Sequence, residues 1–207
     1  MSKWIRRGAL PAVGLLALSA AGCGDFVRQG TGPSLVSVAT LEGASGVKPA
    51  EFAHTLASDV ITYVKRTING AEVRVPTIFG DPGRVTVAVT MKDPATVAPT
   101  SANTVTFSRY RVTYARADGR NTPSVDVPAP FDSAVTFTVS PGESAQATFD
   151  LVRNVAKSEA PLVGLVANQD MLTIIATVTF YGQDNVGHDV AASGNIGITF
   201  GNFGDPD

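Results

Sequence analysis

The chain has 207 residues, 44% of them apolar, with 16 basic residues against 18 acidic ones and a single cysteine, Cys23. That length and apolar content suit one ordinary domain or at most two small ones. The charge balance argues against nucleic acid as a partner, because phosphate binding needs a basic surface, and one cysteine rules out a disulfide within the chain.

Lys3, Arg6 and Arg7 open the sequence, and an apolar stretch over 9–18, with Val13, Leu15 and Leu16, follows. These are the charged and apolar parts of a secretion signal. The apolar stretch is about ten residues, well short of the roughly 20 that cross a bilayer as a helix, so no permanent membrane-spanning helix is expected here. Small residues then lead to the cysteine in Ala20-Ala21-Gly22-Cys23. This run resembles the lipobox of bacterial lipoproteins, with Ala20 where that family more often has leucine. The resemblance covers the first 23 residues. It implies cleavage before Cys23, diacylation of its sulfur by palmitate-type chains and acylation of its new amine. Several acyl chains anchor a protein stably where one chain binds only marginally. Gly24 follows the cysteine and Asp25 comes one place later, so the aspartate associated with inner-membrane retention is not in place. The resemblance therefore implies lipid anchoring in the outer membrane of the cell envelope. Trp4-Ile5 before Arg6-Arg7 and Gly8-Ala9 after it fit a twin-arginine signal poorly, and the pair reads as plain signal charge.

Loss of residues 1–22 removes three basic residues and no acidic one, which leaves 13 against 18 and a net charge of −5 over 185 residues. Lipidation consumes the only thiol, so stability must come from packing. Residues 23–33, rich in glycine, read as the lipidated cysteine and a short tether. The domain is expected over 34–207.

From residue 34 the pattern has period two. Val85, Val87, Val89 and Met91 alternate with Arg84, Thr86, Ala88 and Thr90, as a half-buried strand requires. Leu172, Ile174, Ala176, Val178 and Phe180 share one face of another strand. Further strands are expected over 35–41, 56–64, 104–115, 134–140, 145–153 and 189–200, seven or eight in all. Turn clusters separate them: Gly80-Asp81-Pro82-Gly83, Asp118-Gly119-Arg120-Asn121, Pro128-Ala129-Pro130, Pro141-Gly142 and Asp184-Asn185-Val186-Gly187. Helical periodicity is confined to 154–160 and 49–53. With no alternation of strands and helices, the expected fold is all-β, an antiparallel β-sandwich. Strand number and turn spacing resemble the immunoglobulin and fibronectin type III class, although a true antibody-type domain is excluded by the missing cysteine pair and core tryptophan.

No catalytic signature emerges. His54 and His188 lie in unrelated segments without a Gly-x-Ser-x-Gly nucleophile motif, and the glycines lack phosphate-cradling spacing. His54 reads as the approach to a strand and His188 as part of a hairpin tip. No enzyme activity and no cofactor are expected. Asp184 and Asp189 flank an oxygen-rich loop, but two carboxylates fall short of the six to eight oxygens calcium takes, so they are weak metal candidates and a hairpin turn accounts for them. Asp205 and Asp207 read as a solvated tail.

Arg109 and Arg111 are the candidate ligand-binding residues. Strand alternation puts them on one face, opposite Tyr110, Val112 and Tyr114, with Arg116 and Arg120 farther along. Paired guanidiniums suit anionic sugars, lipid headgroups or an acidic envelope protein, while the same charges also serve as a solvated outer face. Tyr63, Tyr110, Tyr114 and Tyr181 fall in strands where core packing accounts for them. The sequence thus points to a non-enzymatic binding or structural module, with a docking subunit of a secretion or transport assembly as the alternative. A large exposed apolar patch would favour the second reading.

Overall fold

The computed structural model describes residues 32–95 and 98–204. The expected signal, Cys23, most of the tether, Asp205 and Asp207 lie outside them. The described strands are β1 (Ser34–Gly43), β2 (Thr55–Asp59), β3 (Thr62–Ile68), β4 (Ala71–Thr77), β5 (Asp81–Met91), β6 (Val105–Ala115), β7 (Phe131–Val139), β8 (Ser144–Val152), β9 (Leu172–Asp184) and β10 (Asp189–Gly201). Among the described residues helix is limited to α1 (Asn154–Lys157) and two 3-10 segments, Ser101–Asn103 and Leu162–Ala167.

The fold is an all-β sandwich. One sheet has the order β1-β5-β8 and the other β2-β10-β9-β6-β7, while β3 and β4 pair only with each other. Inward residues of β5 (Val85, Val87, Val89), β9 (Ile174, Ala176, Val178, Phe180) and β10 (Ile196, Ile198, Phe200) form one continuous core with Phe107 and Val112 of β6. Phe149 and Phe180 meet edge to face with centroids 5.2 Å apart, and Phe107 stacks on Phe137 at 4.7 Å. Such contacts add about 0.5–1.5 kcal/mol per pair beyond area burial.

Two tyrosines join the layers. Tyr110 Oη donates to the carbonyl of Asp150 and accepts from its N–H, both at 3.1 Å, and Tyr114 Oη donates to the carbonyl of Leu151 at 2.8 Å. Both hydroxyls start from inward positions of β6 and end on backbone groups of β8, an edge strand of the opposite sheet. Burial pushes both phenols above their ordinary pKa, so they remain neutral donors.

The structure corrects several expectations. The described residues form ten strands, not seven or eight. The single strand expected over 56–64 is two, broken at Val60-Ile61, and β4 lies where no strand is expected. Asp81, Pro82 and Gly83 belong to β5 rather than to a turn, and residues 49–53 form no helix. The sheets are not wholly antiparallel, since β2 runs parallel to β10 with Leu56 opposite Ile198. These two strands are far apart in the chain and no tight turn joins them, so nothing imposes the antiparallel arrangement of hairpin neighbours. A bulge at Ser108 shifts the register of β6 against β7 and β9, and Gly182 sits opposite it because a side chain there would run into the backbone of Thr106.

Candidate functional site

Arg109 and Arg111 do share the outer face of β6, but they are not a bare cationic pair. Asp132 on β7 lies directly across from Arg111. Its two carboxylate oxygens accept separately, Oδ1 from Arg109 Nη1 at 2.7 Å and Oδ2 from Arg111 Nη1 at 2.8 Å. The Arg109 guanidinium also lies 4.1 Å from the ring centroid of Tyr181, a contact worth about 0.5–1 kcal/mol at an exposed site. An anionic ligand at this face meets two guanidiniums whose charge Asp132 already offsets in part. Arg116 and Arg120 form a separate unit, both clasping Asp118, whose carboxyl they hold well below the usual range.

The hairpin between β9 and β10 is built on Asp184. Its Oδ1 accepts from the N–H groups of Val186 at 3.1 Å and His188 at 2.8 Å, and its Oδ2 lies 2.7 Å from His188 Nδ1. Burial raises the pKa of this carboxyl, but the three hydrogen bonds outweigh it and the net shift is downward. Gly187 completes the turn at φ 91°, which explains the glycine there. Asp184 is thus committed to the turn, and Asp189 accepts from Gln183 Nε2 at 2.8 Å. Among the described residues no group of three or more His, Cys, Asp or Glu side chains comes together to hold a metal ion.

The structure does bring these two regions side by side. A shallow polar depression lined by Thr106, Ser108, Tyr181, Gln183, Asn185 and Asp189 runs from the ring beneath Arg109 to the hairpin. It does not unite the histidines. His54 precedes β2 beside the middle of β10, whereas His188 precedes its first residue, some eight residues or about 25 Å away along the strand.

Two features had no sequence expectation attached. Lys157, the last residue of α1, is 1% exposed at its side chain and lies 2.9 Å from the fully buried Asp81 carboxylate. Its Nζ also donates to the carbonyl of Asp59 at 2.8 Å, and Asp81 accepts from Ser58 Oγ at 2.5 Å and the Gly46 N–H at 2.9 Å. Burial pushes the Asp81 carboxyl up, opposed first by the charge of Lys157 and then by these hydrogen bonds. The second feature is the β3–β4 hairpin itself. Thr62 and Thr77 pair at its base and Asn69-Gly70 turns its tip, with φ 51° and 79°. Tyr63, Ile68 and Val73 are exposed on it, so Tyr63 departs from the core role expected for the tyrosines, as does Tyr181, whose ring lies outside the core against Arg109. Asn-Gly between alternating segments is the sequence signal that marks such a hairpin.

Comparison with protein-family models, with curated proteins and with solved structures finds no match in any of the three.

Proposed function

We propose that this chain is a cell-envelope lipoprotein, anchored in the outer membrane through Cys23, whose β-sandwich acts as a non-enzymatic binding or structural module. The observation that carries this reading is Ala20-Ala21-Gly22-Cys23 closing an apolar segment that follows Lys3, Arg6 and Arg7. The reading of the domain as non-enzymatic is supported by how its polar groups are engaged: Arg109 and Arg111 share Asp132, and Asp184 closes a turn. Metabolic labelling with a palmitate analogue tests the anchor. Label and membrane association are expected in the wild type and lost in Cys23→Ala, and a labelled, membrane-bound alanine variant overturns the reading.

A second reading, a docking subunit of an envelope secretion or transport assembly, is favoured by one observation. Exposed aliphatic and aromatic side chains gather on the β3–β4 hairpin, outside the sandwich core.

A further inference from the structure

We infer that the end of the sandwich closed by the β9–β10 turn is seated on the anchoring bilayer, with Val186 buried at the level of the lipid headgroups and the acyl chains just beneath them. The inference deepens the lipoprotein reading and rests on it. Asp184-Asn185-Val186-Gly187 is a hydrogen-bonded turn, closed by the Gly187 N–H on the Asp184 carbonyl at 3.0 Å. Exposed turns are built mainly from Gly, Pro, Asn, Asp and Ser, yet the third position of this one is a valine that is 60% exposed.

The turn presents that valine from a fixed frame. Asp184 Oδ1 takes the N–H groups of Val186 and His188. The Asn185 N–H donates to the Thr104 carbonyl at 3.1 Å, and Asn185 Nδ2 donates to the Ser101 carbonyl at 2.7 Å. Between those two residues, the Asn103 carbonyl accepts from Ser34 Oγ at 3.3 Å. The turn, the 101–104 segment and the start of β1 are thereby joined in one platform, and Leu35, 52% exposed, follows Ser34 on β1. A frame already ordered lowers the cost of docking.

What lies against this end follows from where the chain enters the domain. Gly32 lies against His188, its carbonyl accepts from Lys92 Nζ at 2.7 Å, and the Lys92 N–H donates to the Pro33 carbonyl at 2.9 Å. Gly32 comes nine positions after Cys23, and even a fully extended chain of that length spans at most about 32 Å. A lipidated Cys23 therefore keeps the β9–β10 turn within that reach of the bilayer, while the 13 residues of β10 set the opposite end of the sandwich about 40 Å away from the turn. So short a tether makes the contact intramolecular, and a weak apolar contact is enough to hold it. Charge does not supply the contact. Residues 94–104 carry no charged side chain, and besides the Asp184–His188 pair the charged groups at this end are Lys92, Asp93, Glu143 and Asp189, one basic against three acidic, all where loops join strands. The attraction is burial of apolar surface, which salt does not screen.

The test uses the full acylated chain, purified from its own envelope and reconstituted into vesicles of phosphatidylethanolamine with a minor share of phosphatidylglycerol. A bimane fluorophore is attached at Val186→Cys and, as a control of similar exposure at the opposite end, at Val125→Cys. The expected result is that the label at position 186 is quenched by lipid carrying a nitroxide near the head of its acyl chain and shielded from aqueous iodide. The label at position 125 is expected to show the reverse, and raising the salt concentration should change neither. Iodide access at position 186 overturns the proposal, as does equal lipid quenching at both positions or lipid quenching lost in high salt. Shielding from iodide without lipid quenching assigns the turn to a second copy of this chain and overturns it too. Palmitate-analogue labelling is read on the same chain: a labelled chain with position 186 open to iodide removes the seating alone, whereas an unlabelled chain removes the anchor and the seating with it.

Discussion

Lys157 and Asp81, 76 positions apart in sequence, form an ion pair at 2.9 Å in the interior. Their contact ties α1, which follows β8, to the first residue of β5, and the Lys157 ammonium reaches on to the carbonyl that ends β2. The two chain segments from which the β3–β4 hairpin departs are thereby fixed to each other through one buried nitrogen.

Removing one member of such a pair leaves the other buried without its counter-charge, at a cost of about 3–5 kcal/mol, whereas removing both charges together is far milder. Lys157→Met is therefore expected to destabilise the domain by that amount in denaturant unfolding. Adding Asp81→Asn to Lys157→Met should recover a substantial part of the loss. A double variant as unstable as the sum of the two singles would show that the ion pair is not the coupling.

The core makes a second prediction. Val87 is 0% and Ile174 1% exposed, on facing sheets. Val87→Asp or Ile174→Asp places a carboxylate where no partner waits, and each should cost several kcal/mol, on the order of burying an unpaired charged group. Far-ultraviolet circular dichroism should show β structure lost in these variants at temperatures where the wild type keeps it.

Much of this core could be read from the sequence because its cause is local. In β5 over 85–91 and in β9 over 172–180 apolar residues recur at every second position, and burial follows that period even where an aliphatic residue, Ile175, stands on the outer face. The pattern misleads where alternation continues through a change of direction, as at Val60-Ile61, where one expected strand became β2 and β3. β4 was hidden by Glu72, Arg74 and Pro76, which weaken its strand character, although Asn69-Gly70 pointed to a turn there. The Lys157–Asp81 pair had no local signal at all, since the two segments meet only once the sheets have packed. Strand alternation puts Arg109 and Arg111 on one face, yet nothing in the local pattern marks Asp132, whose role depends on the β6–β7 register and the bulge at Ser108.

The inter-sheet tyrosines give a third prediction. Tyr114→Phe keeps the ring and removes only the hydroxyl that donates to the Leu151 carbonyl in the interior. A buried acceptor left unsatisfied costs about 1–3 kcal/mol. Tyr110→Phe removes both a donor and an acceptor for Asp150, in a partly buried setting where water reaches more readily, so its loss should be the smaller of the two. The measurement is the midpoint of denaturant unfolding, with an unchanged slope.

The last prediction concerns acid and the β9–β10 turn. Because hydrogen bonds from the backbone and ring of His188 and from Val186 overcome the effect of burial, the folded carboxyl of Asp184 titrates below its unfolded value, which is about 3.9. Linkage then fixes the sign. Its contribution to stability is fully present above the unfolded pKa and is lost as pH falls through the folded one. Hydrogen exchange at the Val186 and His188 amides should therefore show protection that holds at neutral pH and falls away below about pH 4. Asp184→Asn should lose part of that protection at every pH and flatten the profile. Calorimetry with calcium adds an independent check on the weak metal candidates, since a carboxylate already closing the turn is a poor ligand. No calcium-dependent rise in thermal stability is expected in the wild type. A rise that disappears in Asp184→Ala plus Asp189→Ala would show instead that the turn opens to take a cation.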